Sequence, residues 1–395
     1  MDFSNSDKKT HGDNARQSLQ DILIFCKSCN YIKQFIENYR IGKPDYKNQS
    51  QFLAPFMVEF SNGEKWILYT TTSMRTDRIK SHQWDVMNIK SIDKAITRAF
   101  LIYPDSLEDK EKNEFIRQSE KYKDKIEFTV IDNILSQMEI FNLIEEHSLK
   151  DNTTGKKKDT QGKNFEKRVA ATLNVQSNLI KWKSNNPIIV GLYYDMFLDI
   201  VNCFHLNPEN VETISATSDK SVIGLLPSGG NPKTDVLVTV TYTDTSCDKF
   251  TISCKRTSSD AVGIHQFKAD AFANVLDVNN KELRRLLNDF QTAGTVKALG
   301  KEKSDLLTEA LQPYRNKLAL WVLGGINGEG NPEIQWANYI LVYNNKTDSF
   351  SIYNIIDYYN HLINSNVEGT FGTVFNWTYQ SKQRGKYIKL KCRII

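Results

Sequence analysis

No apolar run in this 395-residue chain approaches the roughly 20 residues needed to span a bilayer, so the sequence gives no support to a role within a membrane. The start, Met1-Asp2-Phe3-Ser4-Asn5-Ser6-Asp7-Lys8-Lys9, lacks the apolar centre of a secretory signal, and the cytoplasm is the expected location. Cysteine is scarce: six in a chain of this length do not make a disulfide scaffold. Cys26 and Cys29 form a C-x-x-C, but the next cysteine is Cys203, so a four-ligand zinc site finds no second pair. Reduced thiols packed in a helix are the expectation there. The six histidines are scattered, without the pairing a histidine-metal nuclease or a zinc hydrolase needs. No G-x-x-x-x-G-K-[ST] occurs, which removes support for ATP-driven chemistry. The glycine-rich run from Gly324 to Gly330 leads into Asn331-Pro332 and a strand pattern, so it reads as a wide turn rather than a phosphate loop opening a helix.

Residues 150–163 carry no apolar side chain and read as a flexible linker. This divides the chain into an accessory domain over 1–150, a linker over 151–163 and a main domain over 164–395. In the first part, residues 1–20 are polar and expected to fray. Trp66–Thr72 and Ala99–Tyr103 read as strands, 84–97 and 106–123 as helices, Ile126–Ile131 as a strand and 133–146 as a helix. Alternating strands and helices favour a mainly parallel sheet. In the second part, helices are expected around Phe165–Ala170, 189–204, 264–275, 280–291 and 303–316. Strands are expected in a hairpin over 234–255 and at Leu318–Leu323, Trp336–Tyr343 and Phe350–Tyr353. Tyr387–Ile394 alternates, with Lys389, Lys391 and Arg393 on one face and Ile388, Leu390, Cys392 and Ile394 on the other.

Net charge is only +4, so local charge matters more than the total. Phe371–Ile395 contains no acidic residue and holds Lys382, Arg384, Lys386, Lys389, Lys391 and Arg393, the clearest electrostatic footprint in the chain. Arg75, Arg78 and Lys80 form a second, smaller basic group after the Trp66–Thr72 strand.

The densest chemistry lies at 229–259. Asp235 stands at the start of one hairpin strand; Ser253, Cys254 and Lys255 lie on the next. Phosphodiester hydrolysis needs an activated water and a sink for charge on phosphorus, and a magnesium ion serves both. Magnesium takes hard oxygen ligands and keeps some of its waters. Asp235 suits it as an anionic ligand, the main-chain carbonyl of Cys254 as another. Lys255 suits the orientation or deprotonation of water. Ser253 occupies the place where such sites usually carry a second carboxylate. Glu166, on an amphipathic helix, is the candidate to supply the missing acid.

The run Ser-Gly-Gly-Asn-Pro-Lys-Thr-Asp at 228–235 resembles the Gly-Gly-Ser-Pro-Lys-Thr-Asp of MspI-like type II restriction endonucleases. Three more blocks agree in order and rough spacing. They are Gly162-Lys163-Asn164-Phe165-Glu166-Lys167, Leu311-Gln312-Pro313-Tyr314-Arg315 and Phe371-Gly372-Thr373-Val374-Phe375-Asn376-Trp377-Thr378-Tyr379. The resemblance covers about 160–395. It implies an α/β PD-(D/E)XK fold, a mixed sheet flanked by helices, with an additional N-terminal α/β domain. The resemblance does not reach that extra domain, whose residues leave three readings open: a DNA-contacting surface, a degenerate nuclease-like unit, or a packed accessory domain with a solvated loop.

The resemblance also implies magnesium-dependent, sequence-specific cleavage of double-stranded DNA, with C-C-G-G as the first candidate site. A protecting DNA methyltransferase in the host follows from that activity. By the resemblance Asp235 matches the metal-binding aspartate, Lys255 the catalytic lysine, and Ser253 an asparagine. Glu166 matches a supporting glutamate. Thr378, Ser381 and Lys391 match positions in the base-contacting segment. Lys389 replaces a glutamine and Gly263 a serine near DNA. Lysine favours guanine O6 and N7. Arg256, Lys382 and Arg384 complete the expected DNA-binding set, with Arg75, Arg78 and Lys80 from the N-terminal part. The competing reading is a nuclease fold that binds DNA without cutting it, Ser253 marking a decayed site.

Overall fold

The computed structural model describes residues 5–73, 75–105, 113–117, 130–150, 154–364, 369–380 and 383–393. The chain divides into two compact units, one made of 1–160 with 174–198, the other of 161–173 with 199–395. The expected linker at 151–163 is corrected: a helix runs from Thr154 to Asn174. Its polar first turns have no apolar stripe to betray them. Nor is the division a single cut, because 174–198 returns to the first unit.

The first unit opens with the helix Asn5–Ser28, where a frayed terminus was expected. Ala15, Leu19, Ile22, Leu23 and Cys26 recur at helical spacing and are all buried, which docks the helix despite its polar start. Five strands follow: β1 (Gln34–Pro44), β2 (Ser50–Glu59), β3 (Lys65–Thr70), β4 (Ile96–Tyr103) and β5 (Asn133–Ser136), ordered β1-β2-β3-β4-β5 in one sheet. The first three are antiparallel neighbours, while β3, β4 and β5 pair parallel. The sheet is therefore mixed, not mainly parallel; β1 and β2 escaped the pattern reading.

The helix Thr76–Ile92 makes the crossover from β3 to β4 and begins well before the expected 84. Most of 106–123 and 126–129 lie outside the described residues, apart from a helical turn at 113–117. Val130 and Ile131 are not strand; the strand follows at Asn133 and leads into the helix Gln137–Ser148. That helix starts on a reciprocal capping box between Ser136 and Glu139, an arrangement worth about 1 kcal/mol.

The second unit holds two sheets. β6 (Val211–Thr217), β7 (Val236–Tyr242), β8 (Cys247–Thr257), β10 (Tyr339–Asn344) and β11 (Ser349–Asn354) form a five-stranded sheet ordered β11-β10-β8-β7-β6. Only β8 and β10 pair parallel. β9 (Ala261–Phe267), β12 (Phe375–Thr378) and β13 (Ile388–Arg393) form a small antiparallel sheet ordered β12-β13-β9. Between them lies a core built from Phe272, Leu286, Phe290, Leu307, Leu318, Trp321, Val322, Trp377 and Leu390 among others.

One expected strand, Leu318–Leu323, is instead the helix Arg315–Gly324. Leu318, Ala319, Trp321, Val322 and Leu323 are all buried, so the helix has no polar face and its sequence shows no 3.6-residue period. Residues 264–267, expected to begin a helix, belong to β9, and the helix starts at Ala269.

Candidate active site

β7 and β8 part company where the chemistry begins. Their last paired residues are Val236 and Ile252, and the amide of Asp235 donates to the Ile252 carbonyl at 2.9 Å. Past this point β8 has lost its β7 neighbour, though it stays paired to β10 on the other side. The Asp235 side chain takes over the missing partner. Its Oδ2 accepts from the Cys254 amide at 2.9 Å, from Lys255 Nζ at 3.0 Å and from Ser253 Oγ at 3.3 Å. Three donors on one oxygen leave Oδ1 as the outward, ligand-facing atom. Lys255 Nζ also donates to the Cys254 carbonyl at 3.0 Å, so that carbonyl lies on the same open edge. Burial alone would lower the Lys255 pKa, but the Asp235 charge and hydrogen bond outweigh it and hold the ammonium above its ordinary value. Ser253 is fully buried and its hydroxyl is committed to Asp235, which makes it an orienting group.

Glu166 reaches the same place from the helix Thr154–Asn174. That helix is anchored on β10 by Arg168, whose buried guanidinium lies 5.0 Å from the centre of the Phe165 ring and 4.9 Å from that of Tyr343. Desolvated contacts of this kind contribute about 2 kcal/mol. Lys220, in the short helix Lys220–Ile223 after β6, places its Nζ 3.6 Å from Asp235 Oδ1 and 3.8 Å from Glu166 Oε2. Burial and the negative charge of Asp235 push the Glu166 carboxyl up to about 7, against the opposing pull of Lys220, Lys255 and Lys163.

Lys220 escaped the sequence reading: nothing in its local pattern joins it to residues 166 and 235. Lys233 escaped as well, although it sits inside the quoted 228–235 block. Its Nζ donates to two main-chain carbonyls, Val322 at 2.6 Å and Ile264 at 2.9 Å, and burial pushes its pKa well down.

The donor set fits a hard divalent cation. Asp235 Oδ1, the Glu166 carboxylate and the Cys254 carbonyl are oxygens of the kind magnesium takes while keeping several waters. The Lys220 ammonium between the two carboxylates shows that a positive charge is favourable there. Among the described residues no three His, Cys, Asp or Glu side chains gather, so such an ion would rest on two carboxylates, a carbonyl and water.

The small sheet carries four of the expected DNA-binding residues: Gly263, Thr378, Lys389 and Lys391. β13 alternates buried Ile388, Leu390 and Cys392 with more exposed Lys389, Lys391 and Arg393. Across β12, Asn376 faces Lys391 and Thr378 faces Lys389. On β9 Gly263 faces Lys391, and a Cβ at Gly263 would stand 2.9 Å from Lys389 Cε. The Lys389 side chain thus lies across the bare backbone at 263, and a serine there would force it aside.

Arg256 donates from Nε to Asn345 at 2.7 Å and its guanidinium lies over Tyr343, so it is engaged within the protein. Arg384 donates from Nε to the Ala293 carbonyl at the end of the helix Lys281–Ala293 and remains exposed. Ser381 and Lys382 lie outside the described residues. In the first unit Arg75 pairs with Asp77 at 2.9 Å where the helix Thr76–Ile92 begins, and Arg78 and Lys80 are exposed on that helix.

Residues 140–392 match the family model described as restriction endonuclease MspI. The chain is 28% identical to the type II restriction enzyme BsuFI of Bacillus subtilis, over 99% of both chains. It is 25% identical to the type II restriction enzyme MspI of Moraxella sp, over 59% of this chain and 89% of that one. The crystal structure of MspI in complex with its cognate DNA superposes with a TM-score of 0.53 at 22% identity, covering 63% of this chain and 97% of that chain.

Proposed function

The chain belongs to the MspI restriction endonuclease family, and from that membership we propose that it hydrolyses both strands of DNA at a short specific site, using magnesium at the Asp235 edge of β8. The observation that carries this reading is the convergence of three donors on Asp235 Oδ2, with the Cys254 carbonyl and Glu166 close by. When bound, magnesium supplies Lewis acidity toward the phosphate and a more acidic water. The protein's own groups do the rest. Asp235 Oδ1 and Glu166 would hold the ion, and Ser253 and the Cys254 amide fix the Asp235 rotamer. Lys255, pinned between Asp235 and the Cys254 carbonyl, orients the attacking water and offsets phosphate charge. The face bearing Thr378, Lys389 and Lys391 reads the base edges, with C-C-G-G the first candidate site. In the first unit, Arg78 and Lys80 add phosphate contacts. A host that makes the protein needs a methyltransferase to protect its own sites.

The test is digestion of unmethylated phage DNA with magnesium by the full chain beside Asp235→Ala, with the ends mapped. Discrete fragments lost in the variant bear the reading out. Tight, salt-sensitive binding without cutting would replace it with that of a DNA-binding protein whose site has decayed.

A further inference from the structure

The register of β9 against β13 is broken at one point. Leu390 faces His265 and Lys391 faces Gly263, which leaves Ile264 as the extra residue of a β-bulge. A bulge leaves ladder groups without a strand partner and re-aims the side chains beside it. The carbonyl of Ile264 is taken up by Lys233 Nζ at 2.9 Å.

The same amine, at 2.6 Å, takes the Val322 carbonyl in the last turn of the helix Arg315–Gly324. The final carbonyls of a helix lack intrahelical partners. Here Trp321 O accepts from the Gly325 amide and Gly324 O from the Ala337 amide, and Lys233 caps the Val322 carbonyl between them. The fit is close: Gly325 has φ +75°, and a Cβ there would stand 3.0 Å from Lys233 Cγ.

Lys233 lies two residues before Asp235. We propose that Lys233 is a positioning residue that locks the bulge at Ile264 and thereby ties the register of the base-reading sheet to the catalytic aspartate. A one-residue slip between strands turns every side chain to the opposite face. If the bulge migrates along β9, the relation of Gly263 to Lys389 and Lys391 is lost while Asp235 and Lys255 remain in place. Lys233 therefore acts on sequence discrimination more than on hydrolysis. This inference rests on the endonuclease reading for its functional consequence, but not for its structural one.

The experiment compares wild type, Lys233→Met and Leu307→Ala, the last a buried residue of the same core placed to mimic a purely structural loss. The first readout is amide hydrogen exchange, which needs no activity. Lys233→Met should raise exchange in β9 and β13 while β10 and β11 keep their protection; unchanged protection in β9 overturns the proposal. The second readout is cleavage of the cognate duplex against duplexes with one altered base pair. Lys233→Met should lower the discrimination ratio about tenfold, the scale of losing one well-buried hydrogen-bonding group, with Leu307→Ala leaving the ratio unchanged. A ratio that holds in Lys233→Met, or falls equally in both variants, overturns it. If Lys233→Met does not fold, Lys233→Arg, whose longer stem does not fit the close approach to Gly325, should lower the same ratio, and a ratio equal to wild type overturns the proposal. If wild type makes no discrete fragments, the endonuclease reading has failed, and hydrogen exchange alone decides the role of Lys233.

Discussion

Both units lay down three antiparallel strands and then a fourth that pairs parallel with the third: β1, β2, β3 and then β4 in the first, β6, β7, β8 and then β10 in the second. They differ at the hairpin end where the second unit keeps its acid and its lysine. With the pairs Phe56–Leu68 and Val236–Ile252 set as equivalent, Pro55 stands where Asp235 does, Tyr69 where Ser253 does, and Thr71 where Lys255 does. Proline has no amide to continue a ladder and no oxygen to offer a metal. Tyr69 is buried, its hydroxyl donating to the Leu53 carbonyl, and Thr71 is turned onto the Ser73 carbonyl. One strand order thus supports two side-chain arrangements: an edge that gathers a carboxylate and a lysine, or an edge whose hydroxyls are turned onto the chain's own carbonyls. What separates the two arrangements is a few side chains at a strand end, not the sheet.

The sharpest way to break this comparison is to remove the groups that distinguish the units. Asp235→Ala or Lys255→Ala should reduce cleavage by at least about a thousandfold, the usual scale for losing a metal ligand or its water-orienting partner. Thr71→Ala, at the equivalent place in the first unit, should leave the rate per folded molecule within about twofold on the same reasoning. A large loss from Thr71→Ala, seen in single-turnover kinetics, would mean that the first unit shares in the chemistry.

Lys389→Gln tests the reading face of the small sheet. It should change preference at one base position by roughly tenfold to a hundredfold, since a good side-chain-to-base pair contributes about 1–3 kcal/mol of discrimination. Cleavage of a randomised site library measures it, and an unchanged preference removes Lys389 from base reading.

Glu166 offers a test at the metal edge that needs no catalysis. Its folded pKa of about 7 lies above the ordinary 4.5. An acid with a raised pKa adds stability below its unfolded value and loses it as pH rises through the folded value. Without metal, Glu166→Gln should therefore gain on wild type as pH rises from 5 to 8. The gain should reach roughly 1–3 kcal/mol in denaturant titrations, with no difference near pH 4. Added magnesium should stabilise wild type at pH 8 and the variant far less. A difference that does not change with pH would show that Glu166 is not held in this strained pairing.

The smallest effect is expected from the first unit. Arg78→Ala with Lys80→Ala should weaken DNA binding a few-fold and lower the salt dependence by about two phosphate contacts, without changing site preference. Binding measured across several salt concentrations checks it; an unchanged slope would leave the unit a packing element.

The hairpin with Asp235 and Lys255 is legible as two short strand patterns around a turn, and β13 because it alternates about one buried face. The 318–323 segment misleads for the opposite reason: a wholly buried apolar run carries no period to distinguish helix from strand. The 264–275 segment differs only at its start, where 264–267 belong to β9 and the helix begins at Ala269. β1 and β2 carry no pattern that marks them as strands, and their antiparallel pairing makes mixed a sheet expected to be mainly parallel. The quoted blocks at 162–167, 228–235, 311–315 and 371–379 pointed to the family without saying what Lys233 or Arg168 does.

By itself, then, the sequence determined which strands carry the acid and the lysine, and which face of the last strand is cationic. Spacing of two along a strand settles sidedness wherever one face is buried. Only the tertiary structure decided that Lys220 lies between Glu166 and Asp235, that Lys233 closes a bulge and a helix end at once, and that 174–198 returns to the first unit. Each of these joins groups far apart in the chain. Periodicity reports only nearby residues, whereas a long-range hydrogen bond exists only once the intervening chain has closed around it.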